Sequence, residues 1–106
     1  MRKHLITTTL ASAVISAALV APAQADVTIA SWGGAYTMSQ QKAYADTYTG
    51  GKVNFINYNG GLGEVRAQVE SGNVTWDIID VLPHEARVGC DEGLFEELPR
   101  DVFTPA

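Results

Sequence analysis

The sequence predicts an α/β fold made of consecutive strand–helix units on a parallel sheet. Three observations carry that prediction. Short runs rich in β-branched and aromatic residues alternate three times with stretches of good helix formers. Glycine- or proline-marked corners separate each run from the helix that follows it. The first of these runs begins almost immediately after an export-type leader, so the unit series opens the mature chain.

Taken in order, the first strand is Val27–Ser31, followed by the loop Trp32-Gly33-Gly34-Ala35-Tyr36. A helix is predicted over 36–48, carried by Gln40, Gln41, Lys42, Ala43 and Ala45 and stopped by Gly50-Gly51. Tyr44 and Tyr48 stand four apart on it, a spacing that predicts packing of both rings on the sheet. The second strand is read over 52–58, with Val53, Phe55 and Asn57 on one side and Ile56 and Tyr58 on the other. Asn59-Gly60-Gly61 turns the chain into a helix over 62–70, whose stripe is Leu62, Val65 and Val69; Ser71-Gly72-Asn73 ends it. A third strand is predicted over 76–82. Pro83 then opens a helix to about residue 88, because proline suits a first helical turn. The stretch 89–99 reads as turn-rich.

Alternation of this kind calls for a parallel sheet covered on both faces. Right-handed crossovers bring every strand-to-helix loop to the carboxyl edge of the sheet, where open α/β sheets bind ligands. Three loops are expected to meet there: 31–36, 58–61 and 82–85.

The leader has a basic start in Arg2, Lys3 and His4, a largely apolar run over 5–21, a break at Pro22 and an Ala23-Gln24-Ala25 cleavage pattern. Thr7, Thr8, Thr9, Ser12 and Ser16 interrupt the apolar run, which falls short of the ~20 residues a spanning helix needs. The expected division is therefore a signal peptide over 1–25 and a soluble periplasmic or secreted part over 26–106. That part carries five Lys and Arg against all twelve acids of the chain, a formal charge of −7, which argues against nucleic acid or an anionic membrane as partner. About 80 residues is a marginal size for a core without staples. The only cysteine, Cys90, has no partner within the chain, so in an oxidising compartment it is a free thiol or half of a bridge completed elsewhere. Together with the loop-like ending, this predicts the front part of a longer protein.

No enzymatic signature stands in the chain, and no metal or cofactor is expected. Gly61-Leu62-Gly63 resembles a dinucleotide loop, but Arg66 occupies the place of its third glycine. His84, the only histidine of the mature part, has Glu85 beside it; a helix-start surface residue is the simpler reading than an acid–base pair. The loops suit recognition better. Gly33, Gly34, Gly60 and Gly61 let backbone amides approach a ligand. Trp32, Tyr36 and Tyr58 offer flat faces that can stack on a solute or hold an amine, at ~0.5–2 kcal/mol each; core packing is the alternative for Trp32 and Tyr58. The three loops hold no Lys or Arg, while Asp80 and Glu85 lie at the third, a polarity that favours a neutral or amine-bearing ligand.

Three motifs in this order carry a family resemblance: Ile29-Ala30-Ser31-Trp32-Gly33-Gly34-Ala35-Tyr36, Trp76-Asp77-Ile78-Ile79-Asp80-Val81 and Gly89-Cys90-Asp91-Glu92-Gly93-Leu94-Phe95-Glu96. With them the chain resembles the N-terminal part of a periplasmic solute-binding protein of an ABC transporter, of the spermidine/putrescine type. The resemblance implies a periplasmic-binding-protein-like lobe, incomplete because the second lobe is absent, and a monomer that closes on a small solute and presents it to an inner-membrane ABC permease. It further implies that Trp32, Gly33, Gly34 and Tyr36 line the cleft, with Leu82, Pro83 and His84 from the third loop, and that Cys90 pairs with a cysteine outside this chain. Such relatives carry polar residues after the tryptophan, where this chain has Gly33-Gly34, a departure that bears on polyamine specificity. The alternative is a secreted α/β enzyme whose catalytic residues lie beyond position 106.

Overall fold

A computed structural model describes residues 24–103. The predicted leader, apart from its last two residues, lies outside them. The described chain runs β1 (Val27–Ser31), α1 (Gly34–Ala43), a 3-10 turn (Ala45–Thr47), β2 (Val53–Asn57), α2 (Gly63–Ser71), β3 (Ile78–Ile79), α3 (Pro83–Asp91) and a last 3-10 turn (Arg100–Val102). The α/β class predicted from the alternation is the observed one. The sheet is parallel throughout, in the order β2-β1-β3. Val27 to Ser31 pair in step with Val53 to Asn57, and Ile29 and Ala30 pair with Ile78 and Ile79.

The central strand holds the core. Ile29, Ala30 and Ser31 are all buried. Successive strand residues point to opposite faces, so burial of all three means that both faces of β1 are covered. Leu62 and Val65 of the α2 stripe are buried as expected, whereas Val69, at the far end of that stripe, is exposed.

Three predicted elements differ from those observed. The first helix starts at Gly34 and ends at Ala43, short of the predicted 36–48. Tyr44 leaves helical geometry with φ −146°, and Thr47 Oγ1 donates to its carbonyl to hold the 3-10 turn. Tyr44 and Tyr48 consequently stay 44 % and 48 % exposed instead of packing on the sheet. The buried positions there are Gln40 and Ala45, because a serine on the central strand calls for a polar partner. The third strand, predicted over 76–82, shrinks to Ile78–Ile79. Asp77 Oδ2 accepts the Thr28 N–H at 2.7 Å and the Trp76 N–H donates to Gln68 Oε1 at 3.2 Å, so side chains replace the ladder at its start, although the Asp77 and Asp80 N–H groups still donate to the Thr28 and Ala30 carbonyls. The third helix runs three residues longer than predicted, to Asp91.

The glycine at 89 has a packing reason. A Cβ there would collide with Cε2 of Phe95, so the Phe95 ring lies directly on the α3 backbone. Leu94 N–H donates to the Gly89 carbonyl at 2.8 Å, which closes the helix end and folds 93–98 back over it.

Candidate functional site

The parallel sheet puts the carboxyl ends of β1, β2 and β3 on one edge, and the loops that leave them are tied to one another there. The Tyr58 N–H donates to the Ser31 carbonyl at 2.9 Å, which joins the first loop to the second. The Tyr58 hydroxyl donates to the Asp80 carbonyl, which joins the second to the third. Glu85 completes the set with both carboxylate oxygens. Oε2 accepts the Leu82 N–H and Oε1 accepts the Gly61 N–H, each at 2.8 Å.

Each loop has a local cause. Gly33 sits at φ 80°, ψ −171°, backbone that a side chain bars almost completely, and this bend lets α1 begin one residue later. Its N–H donates to Thr37 Oγ1 at 2.9 Å, so the helix secures the turn that starts it. A Cβ at Gly33 would lie 3.0 Å from the Asn57 side chain; the end of β2 leaves it no room. Beyond the turn, the Trp32 and Tyr36 rings stand 5.2 Å apart, tilted by 40°, and both are exposed. Tyr58 is half-buried, with its ring edge-on to Trp76 at 5.7 Å. Leu82, Pro83 and His84 are exposed at the start of α3.

Behind the edge lies a buried polar relay. Ser31 Oγ donates to Gln40 Oε1 at 2.6 Å, and Gln40 Nε2 donates to Asp80 Oδ2 at 2.8 Å. One amide thus links the central strand, α1 and the root of the third loop.

The charges are correspondingly biased. The two backbone N–H groups hold the Glu85 carboxyl below the usual carboxylate range, that of Leu82 most strongly, with burial opposing and the neighbouring His84 assisting. Burial pushes the Tyr58 phenol up; Glu85 and Asp80 add to the shift and a hydrogen bond with the Trp32 side chain opposes it. Burial likewise raises the Tyr44 phenol, with the Asp80 charge adding, the Gln40 hydrogen bond opposing and Tyr36 adding.

The lowered Glu85 value has a measurable consequence. A carboxyl whose folded-state pKa is depressed contributes stability that is fully present above its ordinary value and is lost as pH falls through the lowered one. Tryptophan fluorescence followed through an acid titration is therefore expected to show the tie between loops two and three releasing below pH ~4.5. Glu85→Gln should flatten that phase; superimposable profiles would show that the carboxylate does not hold the loops.

The structure brings Trp32, Gly33, Gly34, Tyr36, Tyr58, Leu82, Pro83 and His84 to the same edge of the sheet. Within that group Tyr58 differs from the sequence reading in how it is used: its hydroxyl is committed to the Asp80 carbonyl, so its polar end is part of the scaffold. Cys90 is exposed on α3 and unpaired among the described residues. Sequence reasoning missed the Ser31–Gln40–Asp80 relay, Thr37 and the bridging part of Glu85. Only Glu85 left a signal, standing three residues beyond the residue before the helix, which is the capping-box spacing. Among the described residues no cluster of His, Cys, Asp or Glu is arranged to hold a metal ion, and no helix is long and apolar enough to cross a membrane.

With this geometry in hand, the similarity to known proteins gains meaning. The chain is 42 % identical over 87 residues to a gamma-aminobutyric acid-binding protein of Pseudomonas aeruginosa, a match that takes in 76 % of this chain. The chain spans a quarter (25 %) of the length of that curated relative. No protein-family model matches the chain. The similarity points to solute binding, and the parallel sheet with its linked loops is compatible with part of a binding-protein lobe.

Proposed function

We propose that this chain is the opening part of one lobe of a periplasmic solute-binding protein, and that its three linked loops form one wall of the solute cleft. The observation that carries the reading is the convergence of those loops on one sheet edge, cross-tied through Tyr58 and Glu85. Trp32 and Tyr36 supply exposed aromatic faces on that wall. The loops carry no Lys or Arg, and Asp80 and Glu85 stand at the third. That balance suits a solute with an amino group, held by cation–π attraction and the local negative field.

The relative's name favours a linear ω-amino acid of the γ-aminobutyrate kind within that class, ahead of the polyamines suggested by the spermidine/putrescine resemblance. An amino acid also bears a carboxylate, for which the three loops offer no Lys or Arg; the opposite lobe would receive it. Delivery to an ABC permease, closure by the second lobe and pairing of Cys90 with a later cysteine belong to the same proposal.

The test is calorimetric. γ-Aminobutyrate, putrescine and spermidine are titrated separately into this chain and into a chimera joining it to the rest of the Pseudomonas relative. The isolated chain is expected to give negligible heat and the chimera to bind γ-aminobutyrate. Trp32→Ala in the chimera should weaken binding about 2- to 30-fold, the range that one cation–π contact spans. Tight binding by the isolated chain, or an unchanged Kd in the Trp32 variant, would overturn this account of the wall.

A further inference from the structure

Two carboxylates stand at the loop edge, and their oxygens are used unequally. Glu85 has none to spare, because Oε1 and Oε2 each accept a backbone N–H. Asp80 is held at three points. Its N–H donates to the Ala30 carbonyl at 3.0 Å, its carbonyl accepts the Tyr58 hydroxyl, and its Oδ2 accepts Gln40 Nε2 at 2.8 Å. The Gln40 side chain is itself buried and takes the Ser31 hydroxyl, so the carboxylate is fixed in place. Asp80 Oδ1 has no partner among the described residues. Asp80 is half-buried, and no such residue hides an unpaired side-chain oxygen, so Oδ1 opens to solvent. No cation of the described residues balances it: their one ion pair joins Arg66 of α2 to Glu92 beyond α3.

A half-buried carboxylate with one anchored oxygen and no counter-charge invites a cation. The surroundings say which kind. Tyr36 and Tyr44 stand four residues before and after Gln40, and both rings are exposed. The Trp32 ring adjoins Tyr36 at 5.2 Å. Beyond the larger effect of burial, the Asp80 charge helps to raise the Tyr44 and Tyr58 phenols, so its field reaches this aromatic surface. We propose that Asp80 Oδ1 receives the ammonium group of the solute, and that Gln40 and Ser31 hold the carboxylate ready for it. A metal ion would need several oxygens where the edge offers one free carboxylate oxygen. An alkylammonium needs one charged acceptor, and its stem can lie on the rings. The inference rests on the reading of this edge as a solute wall; it assigns the amino end of the solute to one atom and leaves Glu85 as scaffold.

The experiment has two arms. In the first, Asp80→Asn is placed in the chimera described above; asparagine keeps an oxygen for the Gln40 amide and removes the charge. γ-Aminobutyrate binding should weaken about 10- to 150-fold, the span of a hydrogen bond to a charged group. An unchanged circular dichroism melt shows that the loss is of charge and not of fold. The second arm uses the full chain alone, with isotope-labelled carboxyl carbons followed by NMR and n-butylammonium as the probe. Millimolar n-butylammonium should shift the Asp80 carboxyl resonance saturably, and n-butanol should not. The exposed Glu70 and Asp101 carboxyls should move only with ionic strength. A saturable shift at Asp80 supports the site even where the chimera binds neither γ-aminobutyrate nor a polyamine, a result that overturns the proposed solute alone. An Asp80 resonance that moves no more than those of Glu70 and Asp101 overturns the ammonium site. So does a chimera whose γ-aminobutyrate affinity survives Asp80→Asn, and that result leaves the binding-protein reading standing.

Discussion

Replacing Gln40 with leucine is expected to lower the stability of the chain by about 2–4 kcal/mol, because it strands polar groups on both sides of one amide. Ser31 is 0 % exposed and its hydroxyl donates to Gln40 Oε1; Asp80 Oδ2 accepts from Gln40 Nε2. Leucine matches much of the volume and removes both hydrogen bonds while Ser31 and Asp80 stay in place, so the loss reads out hydrogen bonding and little of cavity formation. For a unit of this size the shift in Tm is about 10–20 °C. Gln41→Leu is the internal control. It is the next residue on the same helix, its amide bonds only to the exposed Asp46, and its loss should stay within about 0.5 kcal/mol. Adding Ser31→Ala to the Gln40 variant removes one of the stranded groups and should restore part of the loss. A Gln40 variant that melts with wild-type would show that the relay does not hold α1 to the sheet.

The same relay marks where the sequence stopped being informative. Val27–Ser31 was legible to the residue, since a β-branched run bounded by the leader and a Trp-Gly-Gly corner has only one place to be a strand. Parallel order and the gathering of the three loops followed from alternation and the handedness of crossovers. Periodicity failed where polar groups made the decision. Tyr44 and Tyr48 have core spacing and Gln40 does not, yet Gln40 is buried, because the buried Ser31 hydroxyl on the central strand needs an acceptor that an apolar side chain does not supply. The third strand looked seven residues long because the run over 76–82 is apolar apart from Asp77 and Asp80. The Asp77 carboxylate in fact accepts a β1 backbone N–H and so replaces a ladder bond. Hydropathy patterns record which residues avoid water, not which polar pairs satisfy each other across forty or fifty residues of sequence.

The wall itself was legible through its glycines, and Gly33→Ala is the second substitution with a large expected effect. Two terms add at this position. Backbone at φ 80°, ψ −171° is strained for any residue with a Cβ, by about 1–3 kcal/mol. The new methyl would also lie 3.0 Å from Cγ and Oδ1 of Asn57 and 3.1 Å from Nδ2, forcing the end of β2 to shift. Asn57→Ala separates the two: combined with Gly33→Ala it removes the crowding and leaves the backbone strain, so only part of the stability should return. Gly34 provides the contrast, since its φ of 56° is left-handed but a Cβ there meets nothing within 4 Å; alanine should cost about 1–2 kcal/mol, the ordinary left-handed penalty. Denaturant midpoints rank the four proteins, and Trp32 fluorescence reports the loop directly because it precedes the bend. If Gly33→Ala proves no worse than Gly34→Ala, the close approach of β2 to the first loop is not what shapes the wall, and the aromatic pair Trp32–Tyr36 must be oriented by α1 alone.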